Sequence, residues 1–245
     1  VEGNDLPDFN PDDEYLQEIK SPIFYAVQKN INIQTGQPTI LDFDMQRISQ
    51  RINIVFNIRT EGNIKREDLA APIIELSGAC GRFNIADACL DTTRLYRMAH
   101  QVQPDEFTQT GEGTYRCVVH FHTLGVIPSA AKGHLNGPGI LQVALQVSTP
   151  QLDSSGAPVV DEEGNPVKNS RYIYGAINPY DELTAAQLIE VRDGKIYLRY
   201  SKEDVNIEIT TPLVIKADQI VPNDTGMGWQ PHDPTNPDDD IIIEI

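Results

Sequence analysis

The chain has 245 residues, 40% of them hydrophobic and 22% charged, which supports a packed core and excludes wholesale disorder. Asp and Glu number 36 against 19 Lys and Arg, and the resulting formal charge of -17 repels phosphate backbones, so nucleic acid is excluded as a natural partner. Three cysteines, Cys80, Cys89 and Cys117, without CxxC spacing make neither a disulfide framework nor a zinc ribbon, although one bridge is compatible with them.

In chain order, residues 1–21 are acidic and carry Pro7 and Pro11, the pattern of a leader or linker. A domain is expected over 22–218, followed by a Pro/Asp-rich tail over 219–245 that ends in a terminal strand. The domain opens with Ile23, Tyr25, Val27, Ile31 and Ile33 on odd positions. After the turn signal at 34–37, Thr39, Leu41, Phe43 and Met45 alternate in the same way, so the two runs predict a hairpin.

The clearest strand follows over 48–59. Ile48, Ile52, Ile54, Phe56 and Ile58 point one way, while Arg51, Asn53, Asn57 and Arg59 point the other. A helical turn is expected within 65–70 and a short strand over 72–78 that Gly78 ends or bends. Another strand covers 93–102, a polar loop 104–113, and a strand 115–124 has apolar residues on both faces. A long surface loop over 125–139 leads into the alternation of Leu141, Val143, Leu145 and Val147.

Two turn signals within 149–170 predict a small protruding hairpin before a strand at 171–177. One helix is expected at 181–190, with Asp181 as its cap. Val205, Ile207, Ile209, Leu213 and Ile215 then mark a long strand. Pro212 cannot donate to a ladder and places that strand at an edge or breaks it. Many short strands with scarcely any helix predict an all-β, antiparallel sandwich with one short helix.

Few residues have the pattern of a chemical site. His120 and His122 share one strand face, as imidazole ligands on a β-scaffold would, and a third ligand, absent from the local sequence, would have to come from His100, His134 or one of several acids. The cysteines lack a nucleophile elbow, and Asp233, Asp238, Asp239 and Asp240 lack the glycine-centred spacing of a calcium loop. Trp229 offers either a sugar-stacking surface or a pin for the tail. No catalytic residue, metal ligand set or cofactor is assigned. Ile241, Ile242, Ile243 and Ile245 instead form an apolar end after a Pro/Asp linker, suited to pairing with the chain's own sheet or with another subunit's.

Several phrases together resemble the fimbrillin family of type V pilus subunits, in particular its anchor-type or accessory members made as surface lipoproteins. They are Ser21-Pro22-Ile23-Phe24-Tyr25, the strand at 51–59, Glu75-Leu76-Ser77-Gly78, the stretch 120–125, and the ending from Gly228-Trp229 to Ile245. The resemblance implies transthyretin-like β-sandwich architecture, export to the outer membrane or cell surface, and a non-enzymatic role in anchoring or building a fimbria with other pilus subunits. Val1 is not the acylated cysteine of that pattern, and the separate N-terminal sandwich of many members has no counterpart here. A processed form or a single-domain relative is therefore expected, with membrane contact only through a lipid anchor not present in this chain. A carbohydrate-binding surface module using Trp229 and a metalloenzyme built on His120 and His122 are the alternatives.

Overall fold

The computed structural model describes residues 15–62, 64–135, 137–199, 204–217 and 219–232. Its strands are β1 (Phe24–Tyr25), β2 (Gln46–Arg47), β3 (Gln50–Glu61), β4 (Ile73–Asn84), β5 (Cys89–Gln101), β6 (Phe107–Gly111) and β7 (Thr114–Thr123). They continue as β8 (Leu141–Pro150), β9 (Lys168–Ile177), β10 (Ile189–Arg192), β11 (Lys195–Leu198), β12 (Asp204–Lys216), β13 (Gln219–Ile220) and β14 (Gln230–Pro231). One α-helix, α1 (Tyr180–Ala186), follows β9.

β3 shows why the layers form. Its alternation leaves Ile52, Ile54, Phe56 and Ile58 fully buried on one face, while Arg51 and Arg59 are exposed and Asn53 and Asn57 half-buried on the other. It lies in the middle of a five-stranded sheet of order β13-β12-β3-β7-β6. A seven-stranded sheet of order β10-β11-β5-β4-β8-β9-β14 lies opposite. One core joins them: Phe56, Val119, Phe121 and Ile209 from the smaller sheet pack with Leu76, Met98, Val143 and Ile177 from the larger. Burying each such side chain contributes about 1.5–3 kcal/mol, so the all-β sandwich rests on strand alternation rather than on local propensity.

The sheets are not wholly antiparallel as the sequence predicts. β12 runs parallel to β3, a pairing that no tight hairpin can make, and the strand before it, β11, belongs to the larger sheet. The register slips between Ile209 and Leu213, and Thr210, Thr211 and Pro212 together face only Asn57. Pro212 thus lies in a bulge where no ladder donor is required. In β4, Gly78 bends the strand rather than ending it. It adopts φ +84°, the register shifts between Leu76 and Ala79, and a Cβ there would lie 2.6 Å from the Ile127 carbonyl oxygen.

Three other elements differ from expectation. The polar loop over 104–113 contains β6, held to β7 at Phe107 and Cys117. The helix is shorter than 181–190: Asp181 lies in its first turn while Pro179 is the N-cap, and Gln187 at φ 52° turns the chain into β10. The predicted hairpin over 23–45 is paired only at its base, where Phe24 faces Arg47 and Tyr25 faces Gln46.

Two lateral seams close the sandwich. On one side, residues 15–19 form a strap: Leu16 N–H donates to Arg97 O of β5 (2.8 Å) and Ile19 N–H to His122 O of β7 (2.9 Å). On the other, Ile220 and Trp229 enter the common core while β14 pairs with β9. Among the described residues no helix is long and apolar enough to cross a membrane.

Candidate interaction surface

β12 is covered on one side by β3 along its length, but on the other by β13 only at Ile215 and Lys216. Over 204–209 its outer edge has no strand partner among the described residues. Val205, Ile207 and Ile209 point into the core, while Asp204, Asn206 and Glu208 are exposed. α1 lies beside this edge, and Glu182, Ala185 and Ala186 line with residues 204–208 an open groove of about 450 Å³. An unpaired edge of this kind accepts a further strand through main-chain hydrogen bonds. Ile241, Ile242, Ile243 and Ile245, expected to supply such a strand, lie outside the described residues, as do Asp233, Asp238, Asp239 and Asp240.

The second feature is the arm between β1 and β2. Nine of the fourteen exposed large apolar side chains among the described residues are Ile23, Phe24, Val27, Ile31, Ile33, Ile40, Leu41, Phe43 and Met45. The arm is held at its base and closes in a turn at its tip. At its base Tyr25 Oη donates to Ile85 O (2.8 Å) and its ring meets Phe83 edge-on at 5.3 Å; Lys29 Nζ donates to Ala86 O (3.1 Å). At its tip Gln37 N–H donates to Gln34 O (3.4 Å), with Gly36 at φ +80°.

Stepping the β1–β2 register inward brings Gln34 opposite Gln37, so base and tip agree on one pairing. Among the described residues no ladder joins the limbs beyond Tyr25 and Gln46, and apolar side chains are exposed along both of them. Asn30, at φ 59°, also breaks the extended path of the first limb.

No family model, curated protein or solved structure matches the chain. The surface is therefore read from its own chemistry.

The residues singled out for chemistry are dispersed. His120 and His122 do share the outward face of β7, but they turn to different partners. His122 is buried against Ser49 Oγ (Nε2 at 3.0 Å) and near Arg47; burial, reinforced by Arg47 and Arg51, shifts its titration below the ordinary imidazole value. His120 faces Asn53 and Glu106. His100 approaches it, with ring centroids 6.3 Å apart, whereas His134 lies in the loop whose carbonyl accepts from Asn178. Among the described residues, no three His, Cys, Asp or Glu side chains are placed to hold a metal ion.

All three cysteines are free and buried. Burial, with a contribution from Asp91, pushes the Cys80 thiol up to about 12, and burial with a contribution from Glu106 raises Cys117 as well. Thiols held protonated in this way are not nucleophiles at neutral pH. Trp229 is 1% exposed, with its ring 5.1 Å from that of Phe56 and Nε1 donating to Thr211 O (3.1 Å). A ring so enclosed has no face to offer a sugar, and it does pin the segment that carries β14. Glu106 and Asn53 gain their roles only from the fold, since each sits in a stretch without a recognisable motif.

Proposed function

We propose that the chain is a non-enzymatic, exported β-sandwich of transthyretin-like type that anchors or assembles a fimbria at the cell surface through strand and surface contacts with other pilus subunits. The observation that carries this reading is the apolar arm between β1 and β2, because exposed apolar area on this scale marks an association surface in a folded domain. The edge of β12 over 204–209, which has no strand partner among the described residues, and the fimbrillin-like phrases point the same way. In this reading Ile241, Ile242, Ile243 and Ile245 supply a terminal strand to an uncovered sheet edge, either the chain's own or a neighbouring subunit's.

Sedimentation of the full chain with purified fimbrial subunits of the producing cell tests it. The triple substitution Ile33→Ser, Ile40→Ser, Phe43→Ser touches side chains that are 76%, 83% and 53% exposed, so melting should be nearly unchanged. Association should nevertheless weaken by about tenfold or more, the scale of losing an interface anchor. Deleting residues 241–245 should likewise remove association. If both variants assemble as the intact chain does, strand and arm contacts are not how it works.

A further inference from the structure

The buried ring of His122 stands where the strap and the base of the arm meet the smaller sheet. β7 carries it, and its main-chain carbonyl receives the Ile19 N–H of the strap (2.9 Å). Its Nε2 lies 3.0 Å from Ser49 Oγ, just before β3, and 3.5 Å from Arg47 Nη2 of β2. Ser49 Oγ accepts in turn from the Ile23 N–H (3.1 Å) at the entry to β1, and Ile23 O accepts from the Ile48 N–H (2.8 Å). The strap and both limbs of the arm at its base are therefore within two hydrogen bonds of one imidazole.

These contacts select one neutral form of the ring. Ser49 Oγ already accepts from Ile23, so its own proton is directed at the Nε2 lone pair, toward which Arg47 Nη2 also turns a donor. The ring proton then belongs on Nδ1, and a hydrogen bond from the ring to the Ile19 main chain gives it an acceptor. A second proton, placed on Nε2, faces the Arg47 guanidinium. It also forces the Ser49 hydroxyl to turn around, although the lone pairs of that oxygen serve the Ile23 N–H and, at 3.5 Å, Arg47 Nε.

We infer that His122 is a proton-operated latch: its neutral ring holds the strap and the base of the arm to β7, and protonation at Nε2 loosens both. The charged groups facing the ring are Arg47 of β2 and Arg51 of β3, which oppose an added charge, and Glu18 of the strap, which favours it. Burial is the largest influence, and together with the two arginines it outweighs Glu18 and the Ile19 contact, so the folded ring titrates below the ordinary imidazole value. Once strap and arm come away, the ring returns toward that ordinary value of about 6.5. The contribution of the latch is thus fully present above about pH 6.5 and is lost as pH falls from there through the lower folded value. That acid thereby changes how the association surface is held rests on the function proposed for the arm; the latch itself does not.

Hydrogen exchange of the Ile19, Ile23 and Ile48 amides in the full chain, with no other subunit present, reports the latch directly. Corrected for the intrinsic pH dependence of exchange, their protection should fall about two- to fivefold between pH 7.5 and 5, the scale of one partly screened charge contact. His122→Gln can offer an amide oxygen to Ser49 and an N–H to Ile19 without a titrating group, and its protection should stay level over the same range. Nitrogen-detected titration of the intact chain should place the neutral-state proton of His122 on Nδ1. The inference is overturned if protection does not fall in the intact chain, if it falls equally in His122→Gln, or if the neutral ring carries its proton on Nε2. Level protection in a chain that still sediments with fimbrial subunits would remove the latch and leave the association surface standing, whereas a fall in protection without any sedimentation would support the latch alone.

Discussion

Trp229→Ala lowers the stability of the sandwich by about 3–5 kcal/mol, the range for removing a large aromatic from a packed core. At about 2–4 °C per kcal/mol for a domain of this size, the melting temperature falls by on the order of 10 °C. The indole touches both layers: it packs on Phe56 of β3, its Nε1 reaches Thr211 O of β12, and the next two residues are β14 on the edge of the larger sheet. Truncation therefore leaves a cavity where the sheets meet and frees the chain that closes that seam. Trp229→Phe keeps a ring against Phe56 but leaves the Thr211 carbonyl without its donor, at a cost of about 1–2 kcal/mol. Urea unfolding of both variants checks the order. A cost below about 1 kcal/mol for Trp229→Ala would contradict the pinning role.

What the sequence discloses depends on whether a signal is local. The alternation of β3 names its buried face correctly, because burial on one side of a strand requires no knowledge of its neighbours. The alternation of β12 does the same for Val205, Ile207 and Ile209, yet is silent on direction, and the parallel pairing with β3 emerges only from the crossover between sheets. Pro212 is a true warning of irregularity, since the ladder does slip there. In the arm the turn at 34–37 is legible and the pairing is not. Both limbs alternate well, but the ladder between them stops after Tyr25 and Gln46, and Asn30 at φ 59° interrupts the first limb. β6 escapes notice because Phe107 is its only buried residue. The cluster of His100, Glu106 and His120 is least legible of all: its members come from β5, a loop and β7, and two histidines spaced for one face find different partners. The strap repeats the lesson, since an acidic, proline-bearing start conceals Tyr15, which is 2% exposed.

The strap also sets the second large effect, which is expected at Arg97. Glu75 is 1% exposed on the face of β4 turned away from Ile74 and Leu76, where Tyr15 Oη donates to its Oε1 (2.5 Å) and Arg97 Nη1 stands 3.7 Å from its Oε2. Arg97→Met keeps the bulk of the side chain and removes the charge that stands nearest Glu75 Oε2, and breaking one partner out of a buried ion pair costs up to about 3–5 kcal/mol. The double variant Arg97→Met, Glu75→Leu should accordingly recover most of the stability, because two well-packed apolar side chains avoid the desolvation that the pair must overcome. Tyr15→Phe should cost about 1–2 kcal/mol while Glu75 is present and less in the Glu75→Leu background, by the share that the Tyr15–Glu75 hydrogen bond carries. Thermal unfolding of the parent, Tyr15→Phe, Glu75→Leu and Tyr15→Phe with Glu75→Leu measures this coupling, and the two Arg97→Met variants are compared in the same way. If Arg97→Met is no worse than the double variant, Glu75 is satisfied without Arg97, and the strap is held by Leu16 and Ile19 main-chain bonds and not by the buried charge beneath Tyr15.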